Sequence, residues 1–296
     1  MSLIYLTGST GFVGTSFIKY FDKKNIIIHK RGQNFNIDSA KTVIHLAGKA
    51  HDLKNTTTSL EYYQVNTEIT KHIFDSFLDS NAKVFITLSS VKAVADELEF
   101  ELNEHQHPNP TTHYGKSKLL AEQYILSKDI PIGKQVYILR PCMIHGPGNK
   151  GNLNLLFNFV SKGFPWPLGL FENSRSYLSI ENLCFIVREL IERNDIPSGV
   201  YNVADDVAMS TNQIINLISE SILKKVIILN LNKTFIRTLA NLGDFLKLPF
   251  NSERLKKLTE SYVVSNKKIK FALGKPLPLS TKEGFIRTFQ SFVENA

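Results

Sequence analysis

The fold of this chain is decided near its N-terminus by the stretch Thr7-Gly8-Ser9-Thr10-Gly11-Phe12-Val13-Gly14. An apolar run precedes the stretch and a helical pattern follows it. Glycines at this spacing allow a tight turn, let backbone N–H groups approach a pyrophosphate, and let the helix pack closely on the strand. The stretch therefore predicts a turn that binds a dinucleotide. The residues expected to line the cofactor there are Gly8, Thr10, Gly11, Phe12, Val13 and Gly14.

Short apolar runs alternate with longer helical patterns through the first half of the chain. The runs predict strands at 3–6, 26–29, 43–46, 84–88 and 136–139, and the patterns predict helices at 12–23, 57–80, 112–128 and 152–162. Strand-helix-strand repetition predicts an α/β fold with a doubly wound parallel (Rossmann) sheet. The stretch from Arg31 to Thr42 is too short for a helix and a further strand, so we expect one trimmed crossover.

The pattern changes after residue 150, which predicts two domains. We expect a dinucleotide-binding Rossmann domain over 1–150, to which 176–205 return with one more strand at 199–203. The segments 151–175 and 206–296 are expected to form a smaller, mostly helical C-terminal domain that binds the substrate.

Composition limits the function classes. The chain has 296 residues, 43% of them hydrophobic and 21% charged, as in ordinary globular proteins. Its excess of 35 Lys and Arg over 27 Asp and Glu is dispersed, which favours an anionic small molecule over nucleic acid. Two cysteines, Cys142 and Cys184, are too few for a disulfide framework or a cysteine zinc site, and we expect no metal. With no membrane-spanning run and no signal peptide, we expect a cytoplasmic protein without a membrane partner.

The end of the second predicted strand indicates which dinucleotide is bound. Sheets that bind NAD usually place a carboxylate there for the ribose 2′-hydroxyl, whereas a cation suits the 2′-phosphate of NADP. This chain has His29, Lys30 and Arg31 instead of a carboxylate. The sequence therefore favours NADP, with NAD as the alternative.

A Tyr-x-x-x-Lys pattern opens the helix predicted at 112–128. Its spacing places Tyr114 and Lys118 on one helix face. A lysine ammonium and an oxidised nicotinamide would both lower the pKa of a phenol, so Tyr114 is a candidate acid–base group. The spacing alone is common, since Tyr20 and Lys24 share it on the first predicted helix.

An upstream Ser-Ser pair distinguishes the Tyr-x-x-x-Lys pattern at Tyr114 from the one at Tyr20. Ser89 and Ser90 end the strand predicted at 84–88, where a hydroxyl would lie over the ligand edge of the sheet. We expect Ser90 to polarise the same substrate oxygen as Tyr114, with Ser89 as the second candidate.

The glycine loop, the strand-end serine and Tyr-x-x-x-Lys, in this order, resemble the extended short-chain dehydrogenase/reductase family. The resemblance implies Ser90, Tyr114 and Lys118 as the catalytic trio, with Tyr114 and Lys118 also contacting the cofactor. His45-Leu46-Ala47-Gly48 is similar to that family's cofactor-lining turn, and Arg140-Pro141 begins a similar segment that ends at Gly148. The further cofactor contacts so implied are Leu46, Ala47, Gly48, Asn66 and Pro141.

Within that family the chain is most similar to enzymes that act on nucleotide-diphosphate sugars. The resemblance implies a UDP-sugar substrate, with Asn152 and Arg175 at the diphosphate and Tyr262 near the nucleotide. Ser89 and Ser90 would contact the sugar. His145 departs from the family pattern, which has a tyrosine there, and a lone histidine is more often a packed or surface residue than an acid.

The segments Gly146–Asn152, Gly163–Gly169 and Arg175-Ser176 most resemble bacterial reductases of UDP-4-keto-6-deoxy-N-acetylhexosamines. Together with the cations at the end of the second strand, this resemblance favours 4-keto reduction of a UDP-6-deoxy-N-acetylhexosamine for surface polysaccharide synthesis. The first alternative is a UDP-hexose 4-epimerase, because the trio serves both reactions. Reduction of a non-sugar carbonyl and a non-catalytic NADP-binding sensor are further alternatives. The resemblance also implies a homodimer through the helices predicted at 57–80 and 112–128.

Overall fold

The computed structural model describes residues 3–49, 58–149 and 151–294. The chain divides into two compact units. The first comprises Met1–Cys142, Ile180–Ala204 and Val264–Pro278, and the second comprises Met143–Ser179, Asp205–Val263 and Leu279–Ala296.

The first unit is built on one six-stranded sheet. All neighbouring strands run parallel, in the order β2-β1-β3-β4-β5-β8. The strands are β1 Ile4–Thr7, β2 Ile26–Ile28, β3 Thr42–His45, β4 Val84–Leu88, β5 Gln135–Pro141 and β8 Gly199–Val203. The predicted doubly wound parallel sheet is confirmed. Strands β1 and β3 are buried along their whole length, as expected for a sheet covered on both faces.

Helices cover this sheet. They are α1 Phe12–Tyr20, α2 Ser59–Tyr63, α3 Ile69–Asp79, α4 His113–Leu126, α6 Ile180–Glu192 and α10 Lys267–Leu273. A π-helical turn, Gln64–Glu68, joins α2 to α3, so the helix predicted at 57–80 is one helical stretch with an internal bulge. Residue 57 lies outside the described residues.

The order in which the chain adds strands to the sheet changes side at β1. Strand β1 pairs with β2 on one side and with β3 on the other. The connection from β2 to β3, residues 29–41, contains no helix, which confirms the trimmed crossover. Ile37 and Ala40 of this connection are buried in the core, so it closes the sheet face without a helix. Ligands of open α/β sheets bind at such a switch point, beyond the carboxyl ends of the strands.

The second unit has its own core and a two-stranded parallel sheet, β6 Met143–His145 with β7 Tyr177–Ser179. Its helices are α5 Asn152–Ser161, α7 Thr211–Ser221, α8 Lys233–Phe245, α9 Ser252–Thr259 and α11 Thr281–Glu294. Buried aromatic and aliphatic side chains from α5, α7 and α11 form its centre, among them Phe157, Ile214, Phe285 and Phe289.

Three segments lie in a different unit from the one expected. Residues 143–150 and 176–179 were expected in the first domain but belong to the second unit, which contains β6 and β7. The sequence assigned 264–278 to the second domain, whereas the structure groups this segment with the sheet of the first. Helix α10 buries Ile269 and Leu273. Asn266 Nδ2 donates to the carbonyl of Ala204, and Lys268 Nζ donates to that of Val200, so the segment is tied to the end of β8.

No helix in the described ranges is both long enough and apolar enough to cross a membrane.

A buried ion pair joins α4 to β5 inside the first unit. The Arg140 guanidinium donates to both carboxylate oxygens of Glu122, and the two side chains are 6% and 2% exposed. Removing one partner of such a pair leaves the other charge buried without compensation.

We therefore expect Glu122→Gln to lower the free energy of unfolding by about 3 kcal/mol or more. Denaturant unfolding followed by circular dichroism measures the change. Glu68→Gln is the control, because the Glu68–Lys71 pair is solvent-exposed and should contribute less than about 1 kcal/mol. Equal, small effects of the two substitutions would contradict a structural role for the buried pair.

Candidate active site

Close backbone contacts shape the glycine loop. Gly8 has φ +70°, and a Cβ atom there would lie 2.5 Å from the backbone carbonyl carbon of Leu46. A Cβ atom at Gly14 would collide with the carbonyl oxygen of Gly8. The Gly11 N–H donates to the carbonyl of Gly8 over 3.2 Å and closes the turn. The turn is therefore held directly against the segment that follows β3.

The start of α1 has the properties of an anion site. Its N-cap is Gly11, which provides no side-chain acceptor, and its first turn contains no acidic residue. The first N–H groups of a helix have no partners within the helix and carry a partial positive charge. Backbone donors beside a glycine cradle fit the pyrophosphate of a dinucleotide. Thr10, Phe12 and Val13 flank this turn, as the sequence predicts.

The end of β2 differs from the expectation at one residue. His29 shares a hydrogen bond of 2.7 Å with the Tyr5 hydroxyl, and its ring lies 4.7 Å from that of Phe35. Burial lowers the pKa of His29, which disfavours the cationic imidazole. His29 is therefore less suited than Lys30 and Arg31 to act as a cation. Lys30 and Arg31 are exposed, and neither forms an ion pair within the described residues.

A directed chain of hydrogen bonds runs through His45 at the end of β3. The Ala47 N–H donates to Thr7 Oγ1, which leaves the Thr7 hydroxyl proton for His45 Nδ1 at 2.8 Å. On the other side the Thr70 hydroxyl donates to the carbonyl of Asn66, so His45 Nε2 must donate to Thr70 Oγ1 at 2.9 Å. Because each hydroxyl has one proton, the chain selects the neutral imidazole with its proton on Nε2.

Asn66 connects the turn after β3 to α4. It lies in the π-helical turn and is fully buried. Its Oδ1 accepts from the Lys49 N–H at 2.7 Å, and its Nδ2 donates to the Lys49 carbonyl and to Ser117 Oγ. The neighbouring Thr67 hydroxyl donates to the Ser117 carbonyl. The helical bulge thus orients a side chain that binds two other segments of the site.

Asp96 organises the start of α4. Its carboxylate accepts four hydrogen bonds from the backbone and hydroxyl groups of Thr111 and Thr112, and these bonds hold its pKa below the usual range despite burial. Thr112 in turn caps α4 by accepting from the Gly115 N–H. A Cβ atom at Gly115 would collide with the Lys92 carbonyl, so α4 packs directly on the turn that follows Ser90.

This packing brings Ser90 and Tyr114 together. The two side chains share a hydrogen bond, and the Tyr62 ring lies 6.1 Å from the Tyr114 ring. Burial raises the pKa of the Tyr114 phenol, the bond with Ser90 partly offsets this effect, and Tyr62 adds to it. The protein by itself therefore favours the neutral phenol.

Lys118 lies one turn further along α4. Its Nζ donates to the Leu88 carbonyl at 2.9 Å, and a Cβ atom at Gly48 would lie 3.1 Å from it. Burial lowers the pKa of Lys118 to about 8, against the opposing charge of Glu122. The ammonium therefore lies between the end of β4 and the turn after β3, where the sequence places the cofactor.

The two serines at the end of β4 differ in their hydrogen-bond partners. Ser90 contacts Tyr114, whereas Ser89 Oγ is buried and has no hydrogen-bond partner in the described part of the chain. Ser89 instead lines a small cavity beside Lys118, together with Asn66, Thr87 and Glu122.

In the second unit, two of the three predicted substrate residues lie together. The backbones at Arg175 and Tyr262 lie side by side and form an isolated parallel β-bridge. The Arg175 guanidinium donates to the Lys257 carbonyl at 2.6 Å and lies 3.5 Å from the Glu260 carboxylate. Asn152 is the first residue of α5.

His145 is a packed residue in the second unit. Its ring stacks on Phe285 at 4.2 Å, and its Nδ1 shares a hydrogen bond with the Thr288 hydroxyl. Its side chain is fully buried, as is the nearby side chain of Asp205. This agrees with the structural role expected from the sequence.

A model of one protein family matches residues 4–204, more than half of the chain. The chain belongs to the NAD dependent epimerase/dehydratase family. The predicted resemblance to extended short-chain dehydrogenases/reductases is confirmed, and the protein is an enzyme of that type.

Three curated relatives are similar over most of the chain. The UDP-glucose 4-epimerase of Vibrio cholerae is 28% identical, and the alignment covers 98% of this chain and 95% of the relative. The N-acetyl-α-D-glucosaminyl-diphospho-ditrans,octacis-undecaprenol 4-epimerase of Escherichia coli is 28% identical over 75% and 73%. The GDP-6-deoxy-D-talose 4-dehydrogenase of Aggregatibacter actinomycetemcomitans is 26% identical over 79% and 84%.

Solved structures of the same fold cover the whole chain. MoeE5 in complex with UDP-glucose and NAD has a TM-score of 0.77 at 17% identity, and 99% of each chain is covered. RMD from Pseudomonas aeruginosa in complex with NADPH has a TM-score of 0.74 at 19% identity, with both chains fully covered. These likenesses confirm the fold of this family member.

Sequence reasoning did not find several residues that support the site. Asp96, Thr7 and Thr70 act through long-range hydrogen bonds that no local pattern indicates. Glu122 has a local signal, since it follows Lys118 by four residues on α4 and so shares its helix face.

The series of hydrogen bonds through His45 leads to a prediction that NMR can test. Burial, Lys118 and His29 together lower the pKa of His45 to about 3. We expect the ring nitrogens of His45 to show the neutral form with the proton on Nε2 at every pH at which the protein is folded. Heteronuclear NMR of ¹⁵N-histidine-labelled protein measures this, with exposed His107 as the internal reference. A charged His45 ring, or a proton on Nδ1, would contradict the hydrogen-bond assignment.

Proposed function

We propose that this protein transfers hydride to or from C4 of a sugar that is linked to UDP. The observation that carries this proposal is the Ser90–Tyr114 hydrogen bond beside the buried ammonium of Lys118, at the carboxyl edge of the sheet. The relatives named for reactions at C4 of activated sugars support the substrate class.

The residues of this chain have separate tasks in the proposed reaction. The backbone donors at the start of α1 bind the pyrophosphate of the cofactor, and Lys118 binds the nicotinamide ribose. The bound nicotinamide supplies or accepts the hydride. Tyr114 donates its phenol proton to the C4 oxygen during reduction and takes it back during oxidation, while Ser90 hydrogen-bonds the same oxygen. Leu46, Ala47, Gly48, Asn66 and Pro141 are proposed to line or support the cofactor.

Two net reactions are candidates for this site. Burial raises the pKa of Tyr114 and keeps the phenol protonated, which is the form that 4-keto reduction of a UDP-6-deoxy-N-acetylhexosamine requires. UDP-hexose 4-epimerisation is supported equally, by the two relatives named 4-epimerases. It begins with oxidation, for which the positive charge of an oxidised nicotinamide would lower the pKa of Tyr114.

A paired assay separates the two candidates. Purified protein is given UDP-4-keto-6-deoxy-N-acetylglucosamine with NADPH, or UDP-glucose and UDP-N-acetylglucosamine without added cofactor. Oxidation of NADPH with the keto sugar alone supports the reductase, and interconversion of the hexoses supports the epimerase. Inactivity in both arms would contradict the proposed substrate class.

The substrate diphosphate is proposed to bind Arg175 and Asn152, with Tyr262 nearby. A guanidinium provides two parallel donors for a phosphate. Arg175 would then exchange its contact with Glu260 for the diphosphate. The relative from Escherichia coli acts by name on a polyprenyl diphosphate sugar, so the same assay with that carrier tests whether UDP is required.

We expect Tyr114→Phe to lower kcat for either reaction by about 10²–10⁴-fold, because the proton donor is lost. Cofactor affinity, measured by fluorescence titration, should stay within a few-fold. Tyr20→Phe is the matched control, since Tyr20 precedes Lys24 at the same spacing but lies on α1. Full activity of Tyr114→Phe would contradict an enzymatic role and favour a cofactor sensor.

NADP is proposed as the cofactor, because Lys30 and Arg31 are exposed cations at the end of β2 without ion-pair partners in the described chain. We expect Lys30→Ser combined with Arg31→Ser to weaken NADP binding about 10–100-fold and to leave NAD binding unchanged. Isothermal titration with both dinucleotides measures this, and Lys23→Ser with Lys24→Ser controls for net charge. An equal loss for NAD and NADP would contradict recognition of the 2′-phosphate.

A cytoplasmic homodimer that uses the helical stretch 59–79 and α4 stays a prediction. Leu60 and Leu120 are exposed on these helices, which supports a packing surface there.

A further inference from the structure

Exposed apolar side chains are concentrated in one segment of the second unit, residues 223–248. Nine of the 21 large hydrophobic residues that are exposed in the described chain lie within these 26 positions. They are Leu223, Ile227, Leu229, Phe235, Leu239, Leu242, Phe245, Leu246 and Leu248. Scattered apolar residues are normal on protein surfaces, whereas a concentration of this kind marks an interaction site.

Helix α8 carries the centre of this segment and has two apolar rows. Ile236, Ala240 and Gly243 form the buried row, and a Cβ atom at Gly243 would collide with the Phe250 carbonyl. The helix is therefore held closely against the residues that precede α9. The second row, Phe235, Leu239, Leu242 and Leu246, repeats at helical spacing and is exposed. Phe245 beside it is 83% exposed.

The charges of the same segment are predominantly positive. It contains Lys224, Lys225, Lys233, Arg237 and Lys247 against one acidic residue, Asp244. None of these five cations forms an ion pair with any residue that the structure describes. Lys224 and Lys225 precede the exposed row of α8, and Lys247 lies at its end, so cations bracket the apolar row.

We propose that residues 223–248 bind the protein to an anionic lipid surface, with α8 lying along the interface. Exposed Phe and Leu side chains can enter the boundary between headgroups and acyl chains, while flanking lysines contact anionic headgroups. A second copy of this chain is a poorer occupant, because a two-fold contact would bring the same cations against each other. The sequence predicted no membrane partner because it contains no membrane-spanning run. Binding to the surface of a membrane does not require such a run.

Vesicle flotation tests the proposal with the full-length protein. We expect binding to vesicles of phosphatidylcholine mixed with phosphatidylglycerol, weaker binding to pure phosphatidylcholine, and a decrease with added salt. Leu242→Ser combined with Phe245→Ser should lower the partition coefficient at least about tenfold, since both side chains would lose their apolar contact with lipid. Lys224→Ser combined with Lys225→Ser should remove most of the preference for anionic lipid.

Phe100→Ser combined with Ile132→Ser is the matched control, because these exposed apolar residues lie in loops of the first unit. It should bind vesicles as the unchanged protein does. The substituted positions are exposed, and thermal unfolding verifies that each variant is folded. Lack of vesicle binding by the unchanged protein, or an equal loss in the control, would overturn the proposal. The proposal would also be overturned if the unchanged protein did not bind vesicles but formed a dimer, and if Leu242→Ser combined with Phe245→Ser dissociated that dimer.

Discussion

Burial of the Lys118 ammonium constrains the other groups of the candidate site. The ammonium is held by the Leu88 carbonyl at the end of β4, and its pKa is lowered to about 8 because little solvent reaches it. A buried positive charge disfavours a second one nearby, and Lys118 contributes to keeping His45 neutral. The neutral state of His45 in turn permits the hydrogen-bond chain from Ala47 to Asn66. Burial of His45, reinforced by the charge of Lys118, thus keeps this imidazole neutral.

Close backbone approach is the second constraint on the first unit. The glycine loop touches the turn after β3 at Gly8, and α4 touches the turn after β4 at Gly115. At both places a side chain would occupy the space of a neighbouring backbone. The same two contacts hold the candidate cofactor loop and the candidate catalytic tyrosine against the carboxyl edge of the sheet. Asp96 strengthens the second contact through its four hydrogen bonds to Thr111 and Thr112.

The chemistry proposed for Ser90, Tyr114 and Lys118 does not select between reduction and epimerisation, because both reactions transfer hydride at the same carbon and move a proton at the same oxygen. The proposed specificity for the sugar and its carrier rests on Arg175, Asn152 and Tyr262 of the second unit. There Arg175 is held between the Lys257 carbonyl and the Glu260 carboxylate. The exposed apolar row of α8 belongs to the same unit and adds a surface property that is independent of the catalytic groups.

Local patterns were sufficient to predict the dinucleotide loop, the parallel sheet, the trimmed crossover and the Tyr-x-x-x-Lys helix, because turn chemistry and hydrophobic periodicity act over a few residues. The tertiary structure alone decided which distant groups meet and how each is charged. It placed the partly buried His29 between Tyr5 and Phe35, left Ser89 in a small cavity away from Tyr114, and returned α10 to the sheet. These outcomes depend on desolvation and on hydrogen bonds between residues far apart in the chain, and neither leaves a periodic signal in the sequence.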